Sequence, residues 1–477
     1  MLQPEKNKWP IFLTVAVGVF MSTLDSSMVN IALPSIMDEF ASPLQTTEWV
    51  VMIYLLTITS SLLVWGNLSD RIGRGKVYSS GMFIFAVGSL ACAYSPSLSW
   101  LIASRFLQAL GAAMMMSTGP AIIKETFPPE QLGRSLGLIG ISVSLGLMTG
   151  PSLGGFLIEY FSWRSIFFLT VPIGFLFSYL ARAVIPMHKK LKITKRFDWL
   201  GGVAWAITLL FASFAFSHAT SPDWSYQALV LFLLAAGVSF FVFYRLETIT
   251  PHPLLPLHLF HQKFFSAAIF SAILSFTVLF SVIMLTPFYL DRVIGLSSSR
   301  IGLIMMAIPM TVMGVAPLAG WLSDHIGARF LSTFGLLVSS AGLFLLAGLT
   351  PDSRPVEVAA RLALLGCGQA MFLSPNSASV LRRVKTEFTG ASAALLATAR
   401  NLGMLLGIAL AGLVFTVLFS RLTGGLDMKD FSTVHTDHFM SALKYAYLTA
   451  AATGILGALI SWMRGKGKAK AIAGHRK

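Results

Sequence analysis

Apolar runs long enough to cross a bilayer recur along this chain from one end to the other, and that recurrence constrains its fold more than any motif. A spanning helix needs about 20 predominantly apolar residues. Fourteen stretches meet or approach that length: 11–33, 49–67, 77–95, 99–121, 136–158, 165–186, 199–217, 226–246, 264–290, 301–322, 330–350, 357–381, 388–420 and 441–463. A segment in hydrocarbon must satisfy its backbone polar groups internally, so only helices or a closed barrel can span. The runs lack the apolar–polar alternation of barrel strands. The expected fold class is an all-α polytopic membrane protein.

Composition points the same way. Only 12% of the 477 residues are charged, against about a quarter in soluble domains. The two cysteines, Cys92 and Cys367, fall inside apolar runs and imply no disulfide framework. No metal site is expected. Residues 1–8 lead into the first run without a small-residue cleavage site, so that run is expected to stay as a span.

An even number of spans puts both termini on one side, and the Lys/Arg bias decides which. With cytoplasmic termini, most of the 35 basic residues fall in the cytoplasm, including Lys189, Lys190, Lys192, Lys195, Arg196 and the tail from Arg464 to Lys477. The net charge of +15 is thus mainly a topology signal, with some attraction to anionic headgroups. A multi-pass protein of the cytoplasmic (inner) membrane is expected, with the lipid bilayer and not a nucleic acid as its partner.

"GNLSDRIGRGK" (66–76) follows the second run and "GWLSDHIGAR" (320–329) follows the tenth. Two copies of G-x-L-S-D-x-I-G, each followed within two residues by an arginine, in like positions suggest duplicated six-helix halves. Three parts follow: residues 1–186 as the first half, 187–263 as a basic linker with two inserted spans, and 264–477 as the second half with its basic tail.

These residues resemble the signature of the major facilitator superfamily, and the 6+2+6 plan resembles its fourteen-span drug/proton antiporter branch. "LDSSMVNIALP" in the first run, "RFLQALGAA" (105–113), "GLMTGPSLGG" (146–155) and "WRSIFFLTVPIG" (163–174) extend the resemblance over essentially the whole chain. It implies a secondary transporter, not an enzyme: an antiporter using the proton gradient, with no other cofactor, for multidrug efflux and antibiotic resistance. The expected substrate is a hydrophobic small molecule. A monomer is expected, and a periplasmic adaptor stays open as a further partner.

The motifs have physical readings of their own. Gly146, Gly150 and Gly154 recur every fourth residue, giving a smooth helix face that lets another helix approach closely. Pro151 removes a backbone donor and bends the helix there. With Gly155, this face reads as a bendable contact sealing the two halves, or as ordinary helix packing. In the "GNLSDRIGRGK" turn, Gly66 and Gly73 allow close packing. Asp70, with Arg71 and Arg74, reads as an electrostatic latch of the outward-facing state or as a basic turn that sets topology; Asp324 is the second-half counterpart.

Asp25 is the one acidic residue well inside a run. It lies about 22 Å along its span from one face, and Arg105 about 9 Å along its span from the other, so their depths match. A carboxylate and a guanidinium at equal depth can offset each other's desolvation. Burial raises a carboxylate pKa and a nearby arginine lowers it. Asp25 with Arg105 is therefore the candidate proton-coupling pair, with a static register-fixing ion pair as the alternative. Asn30, Tyr54, Gln108, Gln369, Asn376 and Arg400 are candidate cavity residues, each otherwise an interhelical hydrogen-bond partner.

The leading function is proton-coupled efflux of lipophilic compounds by alternating access. The same fold could export a native lipid or amphipathic anion; a cavity dominated by arginines would suit an anion, and one dominated by Asp25 a cation. No G-x-x-x-x-G-K-[ST] loop supports an ATP-driven pump, and no H-E-x-x-H or G-x-S-x-G motif supports a lipid-modifying enzyme. A non-transporting sensor would not need the glycine face and the intramembrane charges together.

Overall fold

The apolar runs are helical in the computed structural model, the tenth (301–322) being interrupted at Met306; the structure describes residues 8–186, 198–218, 226–250, 257–384 and 389–464. The basic linker 187–197 and the tail beyond Arg464 lie outside the described residues. The first half comprises α1 (Lys8–Glu39), the short α2 (Leu44–Thr47), α3 (Trp49–Ile72), α4 (Arg74–Ala93), α5 (Leu98–Thr126), α6 (Pro129–Tyr160) and α7 (Ser165–Val184). Two further helices follow, α8 (Trp199–His218) and α9 (Tyr226–Ile249). The second half comprises α10 (Lys263–Arg292), α11 (Ser298–Met305), α12 (Ala307–Ile326), α13 (Ala328–Ala347), α14 (Pro355–Arg383), α15 (Thr389–Thr423) and α16 (Thr436–Trp462). By length and composition, 11 helices among the described residues can cross a membrane, or 12 if the pair bent by 44° at residue 63 counts as one span.

The duplication extends from the motif to the packing. Both motif turns need a glycine in the left-handed region: Gly73 has φ 105° between α3 and α4, and Gly327 has φ 89° between α12 and α13. In each half two helices cross at glycine with almost no space between backbones. A methyl group on Gly81 would stand 2.9 Å from the Gly111 carbonyl, and one on Gly335 would stand 2.6 Å from that of Gly368. Two turns of helix further, Gly88 faces Gln108 and Gly342 faces Leu365. The glycine face of α6 packs on α1, where Gly150 meets Leu24 and Ser27; that of α15 packs on α10, where Gly407 meets Thr277 and Phe280. These pairings put Val278, Leu362 and Leu365 where the first half has Asp25, Arg105 and Gln108. All six are buried. At these three positions, therefore, one half keeps a charged cluster and its twin an apolar one.

Of the two extra helices, α8 sits against both halves. Trp205 on α8 donates to the Thr59 carbonyl on α3 at 3.4 Å, and the Phe214 ring lies 4.6 Å from Trp49. α8 also touches α15. α9 packs on α8 and turns Leu231, Leu234, Val238 and Phe241 outward, a surface suited to hydrocarbon.

Candidate functional site

Asp25 and Arg105 meet in the core of the first half, both at 0% exposure. Arg105 Nη1 donates to Asp25 Oδ2 at 2.5 Å and to Gln108 Oε1 at 2.6 Å. Gln108 Nε2 donates to Asp25 Oδ1 at 2.9 Å and to Ser89 Oγ at 2.8 Å. Arg105 Nε donates to the Val50 carbonyl at 3.0 Å, and the guanidinium lies 4.1 Å from the centre of the Tyr54 ring. The helix spacing of α5 explains the cluster: Arg105 and Gln108 stand three apart and so share a face. The matched depths read from the sequence do correspond to contact.

A central cavity of about 210 Å³ lies between the halves. On α1, Ser22, Ser26 and Asn30 recur every fourth residue and line it, while Asp25 turns away into the bundle. The Tyr54 hydroxyl, 3.0 Å from Ser22 Oγ, stands between cavity and ion pair and lines the former. Arg400 and Asn401 on α15 face the cavity from the second half, and Phe276, Phe280 and Met305 supply much of its apolar wall.

The halves meet at the end of the bundle that carries Asp38. Arg292 on α10 pairs with Asp38 on α1, and the Ser299 backbone N–H donates to Glu159 Oε2 at 2.9 Å. α6 and α11 touch backbone to backbone: a methyl on Gly155 would lie 2.2 Å from the Ser298 carbonyl, and one on Gly302 2.1 Å from that of Pro151. At the same end the Glu48 carboxylate is buried against Gly412 of α15, with Oε1 lacking a hydrogen-bond partner among the described residues. At the other end, Arg74 Nε donates to Asp70 Oδ1 at 2.7 Å, and Arg74 Nη1 lies 3.1 Å from Glu125. A methyl group on Gly66 would make only van der Waals contact, with Ser117 across on α5.

Several expectations change. Gly146, Gly150 and Gly154 pack on α1 of their own half, against Thr23, Ser27 and Met28. Of the glycines and proline in this motif, Gly155 and Pro151 are the ones that meet the other half, because they lie on a different side of α6. Asn30, Tyr54 and Arg400 line the cavity, but Gln108, Gln369 and Asn376 do not. Gln108 is spent on the ion pair. Gln369 exchanges hydrogen bonds with Ser275 Oγ at 2.8 Å and the Ser275 carbonyl at 3.1 Å. Asn376 donates to the Ala268 carbonyl and accepts from Arg464. The backbone of Asp324 lies in α12, and its side chain is outside the described residues. Sequence reasoning missed Glu48, which stands one residue before an apolar run and reads as loop; its partner Gly412 is distant in the chain.

The chain matches the family model described as Major Facilitator Superfamily over residues 15–408. It is 33% identical over 459 residues to the riboflavin transporter RibZ of Clostridioides difficile, covering 96% of this chain and 97% of that one. It is 30% identical over 409 residues to the multidrug resistance protein Stp of Mycobacterium tuberculosis, covering 86% of this chain and 76% of that one. The tetracenomycin C resistance and export protein of Streptomyces glaucescens is 28% identical over 407 residues, with 85% and 76% covered. Among solved structures, a bacterial homologue of the human lysosomal transporter Spinster, in an inward-facing and unoccupied conformation, aligns with a TM-score of 0.70 at 15% identity. That alignment covers 96% of this chain and 97% of the other, and it speaks to the fold alone.

Proposed function

The chain belongs to the major facilitator superfamily and is a transporter rather than an enzyme, and on that premise we propose that it exports lipophilic and amphipathic compounds across the cytoplasmic membrane in exchange for protons. The observation that carries this reading is the Asp25–Arg105–Gln108 cluster, buried one side chain behind the cavity wall. An isolated buried charge is expensive, and Arg105 offsets Asp25 only while both stay charged. Protonation of Asp25 would free Arg105, whose other holders are the Val50 carbonyl, Gln108 and the Tyr54 ring. Tyr54 touches the cavity-lining Ser22, so a change of charge in the core reaches the substrate wall through one residue.

The contacts at the Asp38 end support an externally sealed, inward-facing state, given the orientation expected from the Lys/Arg bias. Gly155, Pro151, Gly302 and the Arg292–Asp38 pair form that seal. The Asp70 turn, held to its own half by Arg74, forms the latch of the opposite state. Alternating access follows from rocking the halves, and the plan is fourteen spans with both termini cytoplasmic. The drug-exporting relatives support an export direction, and the riboflavin transporter supports a polar, ring-bearing cargo as the second reading.

Reconstitution tests the proposal. Proteoliposomes with an imposed pH gradient should accumulate a fluorescent amphipathic dye, and Asp25→Asn should abolish the gradient-driven part while leaving dye exchange down its own gradient. Equal pH-driven accumulation by wild type and Asp25→Asn would reduce Asp25 to a static ion pair.

A further inference from the structure

The cavity has one formal charge on its wall, and it is positive. Among the described lining residues, Arg400 is the sole ionisable group of ordinary charge, and no Asp or Glu lines the space. Asp25, the carboxylate that a cationic drug would seek, is fully buried behind Tyr54 and already bonded to Arg105. Arg400 makes no ion pair among the described residues, and its buried Nε has no hydrogen-bond partner. Beside it the Asn401 amide nitrogen is also unpartnered, so one wall offers two unused donors. Across the cavity the 1% exposed Asn30 has an amide oxygen without a partner, its nitrogen being used on the Ser26 carbonyl. Buried polar groups are nearly always satisfied, so unpartnered ones converging on a cavity mark where a ligand's polar atoms go.

We infer that this cavity takes amphipathic anions: an apolar ring body carrying one acidic head, held by Arg400 and Asn401, with a hydrogen-bond donor on the body reaching Asn30. The apolar remainder of the wall, including Phe276, Phe280 and Met404, covers the body without specifying it. A guanidinium in a water-poor space bonds a carboxylate or sulfonate far better than a neutral acceptor, and a cationic head placed there meets like charge. The inference rests on reading this cavity as the substrate site; it narrows the substrate class and is independent of how transport is energised.

The test uses the full chain in detergent, without any pH gradient, and three fluorescent twins on one naphthylamine body. They carry a sulfonate, a neutral sulfonamide and a trimethylammonium group. The sulfonate should bind about tenfold tighter than the ammonium twin, the scale of one hydrogen bond to a charged group. Arg400→Gln should remove that preference while holding the sulfonamide within about twofold; Arg400→Lys, which keeps the charge, should retain it. If the sulfonamide is also lost in Arg400→Gln, the lysine variant decides alone. Tighter or equal binding of the ammonium twin, an unchanged order in the Arg400→Gln protein, or no binding of any twin overturns the inference. The two readings separate in liposomes. Sulfonate movement indifferent to a pH gradient would refute proton coupling and leave the anion site standing; pH-driven accumulation of the ammonium twin alone would do the reverse.

Discussion

Arg105 holds Asp25 with one nitrogen: Nη1 lies 2.5 Å from Oδ2, while the buried Nη2 has no hydrogen-bond partner among the described residues. A paired fork would clamp the carboxylate with two parallel bonds. The single contact leaves a bond donor in reserve, as the proposed coupling role would require.

Removing one member of the pair should be far worse than removing both. Arg105→Leu leaves a buried, uncompensated carboxylate and should destabilise the protein by about 3–5 kcal/mol. Asp25→Val with Arg105→Leu and Gln108→Leu copies the Val278, Leu362 and Leu365 core of the second half. That triple variant should recover most of the thermal stability measured in detergent and still fail to couple transport to pH. A triple variant less stable than Arg105→Leu would show that the two cores are not interchangeable.

The glycines of α6 should divide by partner. Gly155→Ala meets the Ser298 backbone carbonyl at 2.2 Å, and Gly302→Ala meets that of Pro151 at 2.1 Å. Backbone cannot step aside as a side chain can, so both variants should resist closure at the Asp38 end. Spin labels across that end should report longer distances than in wild type. Gly154→Ala, whose new methyl would meet Met28 of its own half at 3.0 Å, should leave those distances unchanged.

Gly412 should behave as a socket for Glu48. A methyl there would lie 2.1 Å from Glu48 Oε1, so Gly412→Ala should expose the Asp38 end to membrane-impermeant thiol reagents at a cysteine introduced nearby. Combining it with Glu48→Ala should restore protection, because the shorter side chain vacates the space. Failure of the double variant to reverse the exposure would mean that Glu48 is not what closes the gap.

Asp70→Asn loses its ion pair with Arg74, but the carboxylate is 30% exposed and such pairs contribute little, about 0–1 kcal/mol. The melting temperature should barely move. The balance between inward- and outward-facing populations should shift toward inward, since the latch is assigned to the other state. An unchanged balance would leave Asp70 a topological turn only.

What could be read from the residues alone follows from what a one-dimensional pattern contains. Apolar length reports helices, and two charges at matching depth report a candidate partnership, so the shared level of Asp25 and Arg105 was legible while their contact came from the structure. A polar residue in an apolar run does not say which way it points. Gln369 and Asn376 are spent inside the second half, whereas Asn30 faces the cavity. A glycine face reports close approach without naming the neighbour, which proved to be α1 for Gly146, Gly150 and Gly154. Glu48 escaped because its burial depends on a helix from the opposite half, a relation that no local window contains.

The lone positive charge on the cavity wall has an electrical consequence. Across a membrane negative inside, a departing monoanion is already driven outward by the voltage, and an entering proton is driven inward by it. Each charge moved contributes about 2.3 kcal/mol per 100 mV. An exchanger loaded through Arg400 would therefore run on potential even at equal pH on both sides, whereas exchange of one proton for one monocation would draw nothing from it.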